Sequence, residues 1–223
     1  MWALEDPRRL QEVLDLEGFQ PKNITITLRY TDFWYWEENR PIHIDARWVN
    51  TVRFPSSVSS INMDFEMIDR RKNEVDVITD LATQTWFFRR ADGMVLRASK
   101  EDIITTRWTG SSIFDKMRWI RDESRPNEID YYVKTVTWKT APGFDPFAGA
   151  GDGCPNLDFP PGLAREKPPF TRRFTHVSVD ELEAHNIPHD ASAQEVHETI
   201  LRHAREIQAA MLRRRRGSLG QNV

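Results

Sequence analysis

The chain has 223 residues, with 31 lysines and arginines against 34 aspartates and glutamates, and an apolar fraction of 39% that includes 8 tryptophans and 12 phenylalanines. A chain of this length can bury a core large enough to need neither disulfides nor a structural metal. We expect neither a membrane span nor a secretory signal, because no apolar run approaches about 18 residues and the amino-terminal segment is acidic and amphipathic. The single Cys154 excludes an internal disulfide and favours a cytoplasmic or nuclear location.

Positive charge is concentrated near the carboxy terminus. Residues 202–216 contain six arginines and one glutamate, so the rest of the chain is net acidic. An acidic body argues against nucleic acid binding by the fold itself. The run Arg213 to Arg216 has three interpretations, which are favourable charge at a helix end, a short nuclear-import or nucleic-acid patch, and an arm for an acidic partner.

The first third of the chain predicts one helix and three strands. Asp6 followed by Pro7 is typical of a helix start, and the apolar spacing predicts a helix over about 7–17. Apolar residues then alternate with polar ones over 24–31, 42–48 and 61–67. Short connections between these segments favour an antiparallel meander with one face on a core.

A short helix and further strands are predicted next. Helical spacing indicates a helix over 73–82, and the pair Asp92-Gly93 is a strong hairpin signal. The predicted strands cover 85–90, 94–97, 103–109 and 129–138. The last of these is apolar on both faces, which predicts a central position in the sheet.

The predicted organisation has three parts: a sheet domain over 1–139, a loop rich in proline and glycine over 140–172, and a helical segment over 173–223 that packs on the same domain and ends in the basic tail. A loop of that length is a lid or a mobile connector. Capping boxes at Ser178 and Ser192 start two helices. The second carries an apolar stripe and runs about 24 residues to Gly217. Its members are Val196, Ile200, Ala204, Ile207 and Met211.

These elements predict an α+β fold. We expect a curved antiparallel sheet of about six to eight strands, with the amino-terminal helix and the long carboxy-terminal helix packed on it.

One candidate site follows the polar faces of the second and third predicted strands. His43, Asp45, Asp64 and Glu66 would share one side of a meander, where they could supply acid and base groups. The alternative is an ordinary solvent face filled with mixed charges.

The second candidate site lies within residues 107–125, where arginines alternate with tryptophans. Its members are Arg107, Trp108, Ser111, Ser112, Arg118, Trp119 and Arg121, with Arg125 beyond them. Guanidinium groups beside indole faces bind phosphates, carboxylates or planar ligands, and arginine and tryptophan dominate protein interfaces. The alternative is structural, with the tryptophans in the core and the arginines paired to nearby acids.

Neither a metal, a nucleophile nor a cofactor is predicted. Pro188 separates His185 from His189 and removes the helical spacing of a zinc pair. Cys154 has no positioned base beside it, and prolines follow the glycines of 148–153 where a phosphate-binding loop would start a helix.

The sequence therefore predicts a non-catalytic domain that binds a protein partner or a small molecule through residues 107–125. The alternative is a metal-independent lyase, isomerase or hydrolase acting on a small organic substrate, in a cavity between sheet and helix lined by aromatic residues and by the acid and base groups of the first candidate site.

Overall fold

The structure is a computed structural model that describes residues 6–33, 36–141, 143, 153–167 and 175–219, with only part of the side chains in the last helix. The chain divides into two compact units. The first unit comprises Met1–Trp108 and Tyr131–Lys167, and the second comprises Thr109–Asp130 and Pro168–Val223.

Helices and strands alternate irregularly along the described residues. The helices are α1 Pro7–Leu14, α2 Arg47–Thr51, α3 Lys72–Thr85, α4 Val179–Ala184 and α5 Ala193–Leu219. The strands are β1 Asn23–Leu28, β2 His43–Ile44, β3 Arg53–Phe54, β4 Ser60–Ile68, β5 Phe87–Arg90, β6 Val95–Arg97, β7 Ile103–Ser111, β8 Ile113–Phe114, β9 Met117–Arg118, β10 Glu128–Thr140, β11 Leu157–Asp158 and β12 Val177–Ser178. Across the described ranges, no helix is both long enough and apolar enough to cross a bilayer.

The largest sheet has seven strands in the order β1-β4-β10-β6-β5-β3, with β7 also paired to β10, and it is strongly curled. The predicted α+β class and the central position of β10 are confirmed. The predicted antiparallel arrangement is wrong, since β1 runs parallel to β4 and β3 runs parallel to β5. Alternating side chains suit either direction, and the connection from β1 to β4 is long enough to return the chain to the starting end.

The predicted strand over 42–48 is also wrong beyond its first residues. The chain forms the two-residue β2 and then turns into α2, where the Asp45 side chain accepts a hydrogen bond from the Arg47 backbone N–H at 2.7 Å. The alternating burial is nevertheless as predicted. Its buried members are Ile42, Ile44, Ala46 and Trp48.

Other local predictions are confirmed. The helix over 73–82 lies within α3, and β5 and β6 form the hairpin, with Gly93 at φ +85° in its turn. The Ser178 hydroxyl accepts the Glu181 backbone N–H at 3.1 Å and caps α4. Helix α1 starts at Asp6-Pro7 but ends at Leu14, three residues early.

The second unit has its own small sheet and core. Strand β9 pairs with β8 and β12, and a buried cluster brings together α4, the start of α5 and the segments beside them. Its members are Ile120, Val177, Leu182, Ile187, Ala191 and Val196. Ile200 packs partly against this cluster, whereas Ala204 is exposed. The side chains of Ile207, Met211 and the arginine run from 213 lie outside the described residues, and the packing of α5 on the large sheet stays a prediction.

Part of the predicted loop is described, in the first unit. Asn50 holds Cys154 through two hydrogen bonds, one from the Cys154 N–H at 2.7 Å and one to its carbonyl at 2.9 Å. The Trp86 indole donates to the Pro155 carbonyl at 2.7 Å, and Leu157 is fully buried. Residues 153–159 are therefore anchored, while 142, 144–152 and 168–174 lie outside the described residues.

The absence of a side chain at Gly153 allows the Asn50 side chain to approach the backbone and bond to Cys154. A Cβ at Gly153 would lie 2.7 Å from Asn50 Oδ1. We expect Gly153→Ala to lower the free energy of unfolding by about 1 to 3 kcal/mol in chemical denaturation. Gly162→Ala is the matched control, because a Cβ there meets no atom within 4 Å. Equal stability of the two variants would contradict the anchoring role.

Candidate functional site

The four acid and base candidates of the first predicted site are divided between the segment around β2 and the large sheet. His43 lies in β2 and Asp45 directly after it, whereas Asp64 and Glu66 lie in β4 of the large sheet. After the two-residue β2, which pairs with β11, the chain turns into α2, so residues 43–48 form no strand beside β4. These four residues do not form one acid–base group.

Asp64 and Glu66 lie on the partly exposed, polar face of strand β4 in the large sheet. Asp64 accepts hydrogen bonds from the hydroxyls of Thr27 at 3.0 Å and Thr135 at 2.6 Å. Glu66 accepts one from the Trp108 indole at 3.2 Å. Partial burial raises the pKa of Glu66. Both carboxylates therefore accept hydrogen bonds from side chains on other strands of the same sheet.

The second predicted site divides between the two units. Arg107 and Trp108 lie in the first unit and are exposed. Trp108 stacks on Tyr131 with ring centroids 4.2 Å apart. Arg107 pairs with Asp69 at 3.2 Å and its guanidinium lies over the Tyr132 ring. Arg107 and Trp108 are therefore both exposed, but as successive residues of strand β7 they point to opposite faces of the sheet.

Arg118 is instead an interior residue of the second unit. Its guanidinium forms a fork with the Glu123 carboxylate at 2.7 and 2.8 Å and also donates to the carbonyls of His189 and Ala191. The Ser112 hydroxyl donates to the same carboxylate. Neither member of the ion pair is more than 1% exposed, so a ligand cannot reach this guanidinium in the folded unit.

The remaining members of the second site are largely interior too. Arg121 pairs with Asp122 at 2.8 Å, with both side chains buried. Trp119 is buried and stacks on Phe114 at 5.2 Å. Ser111 is exposed, and its hydroxyl accepts the backbone N–H of Ile113 at 3.0 Å. The expected surface of arginines therefore lacks Arg118 and Arg121.

A pocket of about 770 Å³ lies in the first unit where β2 meets β11. Its lining combines apolar residues, of which Phe33, Ile42 and Phe159 are buried, with three polar residues. The polar residues are Arg40, His43 and Asp158. The lining residues are Phe33, Arg40, Pro41, Ile42, His43, Asp158, Phe159 and Pro161. His43 is the only sequence-predicted site residue among them.

Backbone pairing fixes the two walls of this pocket. Strands β2 and β11 run antiparallel, with His43 opposite Asp158. The Phe159 N–H extends the pairing by donating to the Ile42 carbonyl at 3.0 Å. Because successive side chains on paired strands keep fixed directions, the polar pair and the buried apolar residues are held in register.

His43 and Asp158 form a close pair at the pocket. His43 Nδ1 lies 2.6 Å from Asp158 Oδ1, and the two side chains are 55% and 64% exposed. A carboxylate that holds one imidazole nitrogen orients the ring and leaves the other nitrogen for a ligand or a proton transfer.

Glu74 of α3 secures the wall that contains Ile42. This carboxylate is 2% exposed and accepts hydrogen bonds from Arg71 at 2.7 and 2.9 Å, from Arg165 at 3.0 Å and from the Ile42 N–H at 3.2 Å. Burial alone would raise the pKa of Glu74, but the two guanidinium groups outweigh it, and the pKa lies below its ordinary value of 4.5.

The same two arginines reach the residues before Ile42. Arg71 donates to the Arg40 carbonyl at 2.6 Å, and Arg165 donates to the Asn39 carbonyl at 2.7 Å. One buried carboxylate thus ties helix α3, the wall over 39–42 and the segment after β11 together.

Sequence reasoning missed most of this pocket. Its two walls lie 115 residues apart along the chain at His43 and Asp158. One available signal was the pair Leu157 and Phe159, which are large apolar residues in a loop rich in proline and glycine. Such residues indicate a docked segment, but they do not specify the surface on which it docks.

Within the described ranges, no group of three histidine, cysteine, aspartate or glutamate side chains is placed to hold a metal ion. Burial raises the pKa of the Cys154 thiol, which lowers its thiolate fraction at neutral pH. Comparisons of the chain with protein families, with curated proteins and with solved structures find no match.

Proposed function

We propose that this chain binds a small, largely apolar organic molecule in the pocket between residues 40–43 and 158–161. The observation that carries the proposal is the combination of a drug-sized pocket, buried apolar walls and one oriented polar pair.

The size and lining support this function. Small-molecule sites occupy about 300 to 1,000 Å³ and are mostly apolar with few polar groups. This pocket has about 770 Å³, and its walls include Phe33, Ile42 and Phe159, which are all at most 6% exposed. The polar groups of the lining belong to Arg40, His43 and Asp158.

The rigidity of the walls supports it as well. Both walls are fastened by backbone pairing and by Glu74, so a ligand would not have to order them. A preformed site avoids the entropic cost of arranging its own lining, which improves affinity.

Filling the pocket mouth tests the proposal. The probe is the uncharged fluorophore 6-propionyl-2-(dimethylamino)naphthalene, whose emission shifts to the blue in an apolar site. Pro161 lines the pocket and is exposed, and we expect Pro161→Trp to weaken probe binding by about tenfold or more. The matched control is Ile104→Trp, at a 60% exposed position outside the pocket. Equal binding by the two variants would contradict the proposal.

A second candidate function is general acid–base catalysis in the same pocket. It is favoured by the 2.6 Å contact of His43 with Asp158, since a carboxylate-oriented histidine is a common catalytic base. His43 as a base would support attack by water or proton abstraction, and none of the described lining residues adds a hydroxyl or thiol nucleophile. This candidate keeps His43 from the first predicted site and adds Asp158.

Hydrolysis of 2-naphthyl acetate separates binding from catalysis. An enzyme that uses His43 as its base should lose about 100-fold or more of its rate in His43→Ala. If the chain only binds ligands, 2-naphthyl acetate should be hydrolysed at the same slow rate by the native protein and by His43→Ala.

A protein partner at residues 107–125 has narrower support. Arg107 and Trp108 are exposed there, and tryptophan and arginine are frequent at interface centres. Arg118 and Arg121 are enclosed in the second unit and would contribute nothing at such a surface.

A further inference from the structure

The hydrogen-bonding state of His43 follows from its contact with Asp158, and this inference rests on the proposed binding function. An ionised carboxylate only accepts hydrogen bonds, so the proton between Nδ1 and Oδ1, 2.6 Å apart, lies on Nδ1. In a neutral imidazole the second nitrogen, Nε2, is then an acceptor. The ring therefore offers an acceptor to any ligand that reaches it.

The charges around the pocket select further among ligands. Arg40 pairs with Glu38 at 3.0 Å, while the exposed Asp158 carboxylate lies at the rim beside His43. An anionic ligand next to His43 would also meet the exposed Asp158 carboxylate, which disfavours it. A cation would gain from Asp158 but would be desolvated by the apolar walls.

We infer that the pocket takes an uncharged hydroxyl compound with a flat apolar body, such as a phenol, whose O–H donates to His43 Nε2. The apolar lining near the body comprises the exposed prolines at 41 and 161 and the buried rings of Phe33 and Phe159 behind them. Asp158 acts as a positioning residue, because it fixes which imidazole nitrogen can accept.

Four ligands that share a naphthalene body test this selectivity. They are 2-naphthol, 2-methoxynaphthalene, 2-naphthoate and 2-(aminomethyl)naphthalene, titrated by ligand-observed NMR at about pH 8, where an ordinary imidazole is neutral. We expect 2-naphthol to bind about tenfold tighter than its methyl ether, which keeps the oxygen but has no hydrogen to donate. The carboxylate and the amine should bind more weakly than 2-naphthol.

Two variants attribute the preference to the pair. His43→Phe should reduce the preference for 2-naphthol over 2-methoxynaphthalene to within about twofold while both compounds still bind. Asp158→Asn should reduce it in part, since an amide can donate to Nδ1 as well as accept from it. Unchanged secondary structure by circular dichroism shows that each variant is folded.

The outcomes separate this inference from the proposed function. Equal affinity for 2-naphthol and its methyl ether, with binding still weakened by Pro161→Trp, overturns the hydroxyl preference and leaves the pocket as a binding site. Tighter binding of the amine or of the carboxylate also overturns it. No binding of any of the four compounds overturns both the inference and the proposed function.

Discussion

Replacing Arg118 and Arg121 together by alanine is expected to lower the free energy of unfolding by at least about 3 to 5 kcal/mol. Each guanidinium is at most 2% exposed, and each neutralises a carboxylate that is at most 1% exposed, Glu123 in one pair and Asp122 in the other. Removal of one partner leaves an uncompensated charge in the interior, which costs far more than loss of a surface pair. Urea denaturation followed by tryptophan fluorescence measures the change.

The matched control is Arg125→Ala in the same segment. Arg125 is 59% exposed and pairs with Glu128 and Asp130 at the surface, so we expect a change of about 0 to 1 kcal/mol. If the double variant does not fold, Arg118→Lys is a milder substitution. It keeps the positive charge but cannot form the two parallel hydrogen bonds that the guanidinium makes to Glu123. A loss below about 1 kcal/mol in the double variant would refute the structural role and favour a surface site.

Features that depend on neighbouring residues were predictable from the sequence. The turn at Asp92-Gly93 requires a residue that tolerates positive φ, and the structure has Gly93 at +85°. The cap at Ser178 needs only a carboxylate-bearing or hydroxyl side chain before a helix, and its hydroxyl accepts the predicted N–H. These signals act within a few residues and do not require a partner from a distant segment of the chain.

Strand direction and arginine burial depended on tertiary structure. The alternation in Asn23–Leu28 has the same form whether its partner runs parallel or antiparallel, and the long connection to β4 permits either direction. Arginines are usually exposed, and the sequence around Arg118 gave no measure of how completely Glu123 and the carbonyls of His189 and Ala191 would enclose it.

The candidate site was the least predictable part. His43 was singled out for its place on a polar strand face, but its partner Asp158 lies in a segment with no regular pattern. The contact exists because Leu157 and Phe159 are buried around it, and burial fixes the register of Asp158 against His43. Such a pairing depends on three-dimensional packing that no local spacing encodes.

A second large effect is expected from Glu74→Gln. The substitution keeps the shape but removes the charge that Arg71 and Arg165 share in a nearly inaccessible site. We expect a loss of about 3 to 5 kcal/mol in the free energy of unfolding near pH 7. Because the wall over 39–42 is bound to this carboxylate, probe affinity in the pocket should fall as well.

The pH dependence distinguishes a buried charge from a simple packing defect. Since the folded pKa of Glu74 lies below the ordinary 4.5, its contribution is fully present above that value and is lost as the pH falls through the folded pKa. The stability of the native protein should therefore fall more steeply below about pH 5 than that of Glu74→Gln. Glu17→Gln, at an exposed position, should stay within about 0.5 kcal/mol of the native protein near pH 7. Parallel pH profiles for the native protein and Glu74→Gln would show that this carboxylate is not the charge that fastens the pocket wall.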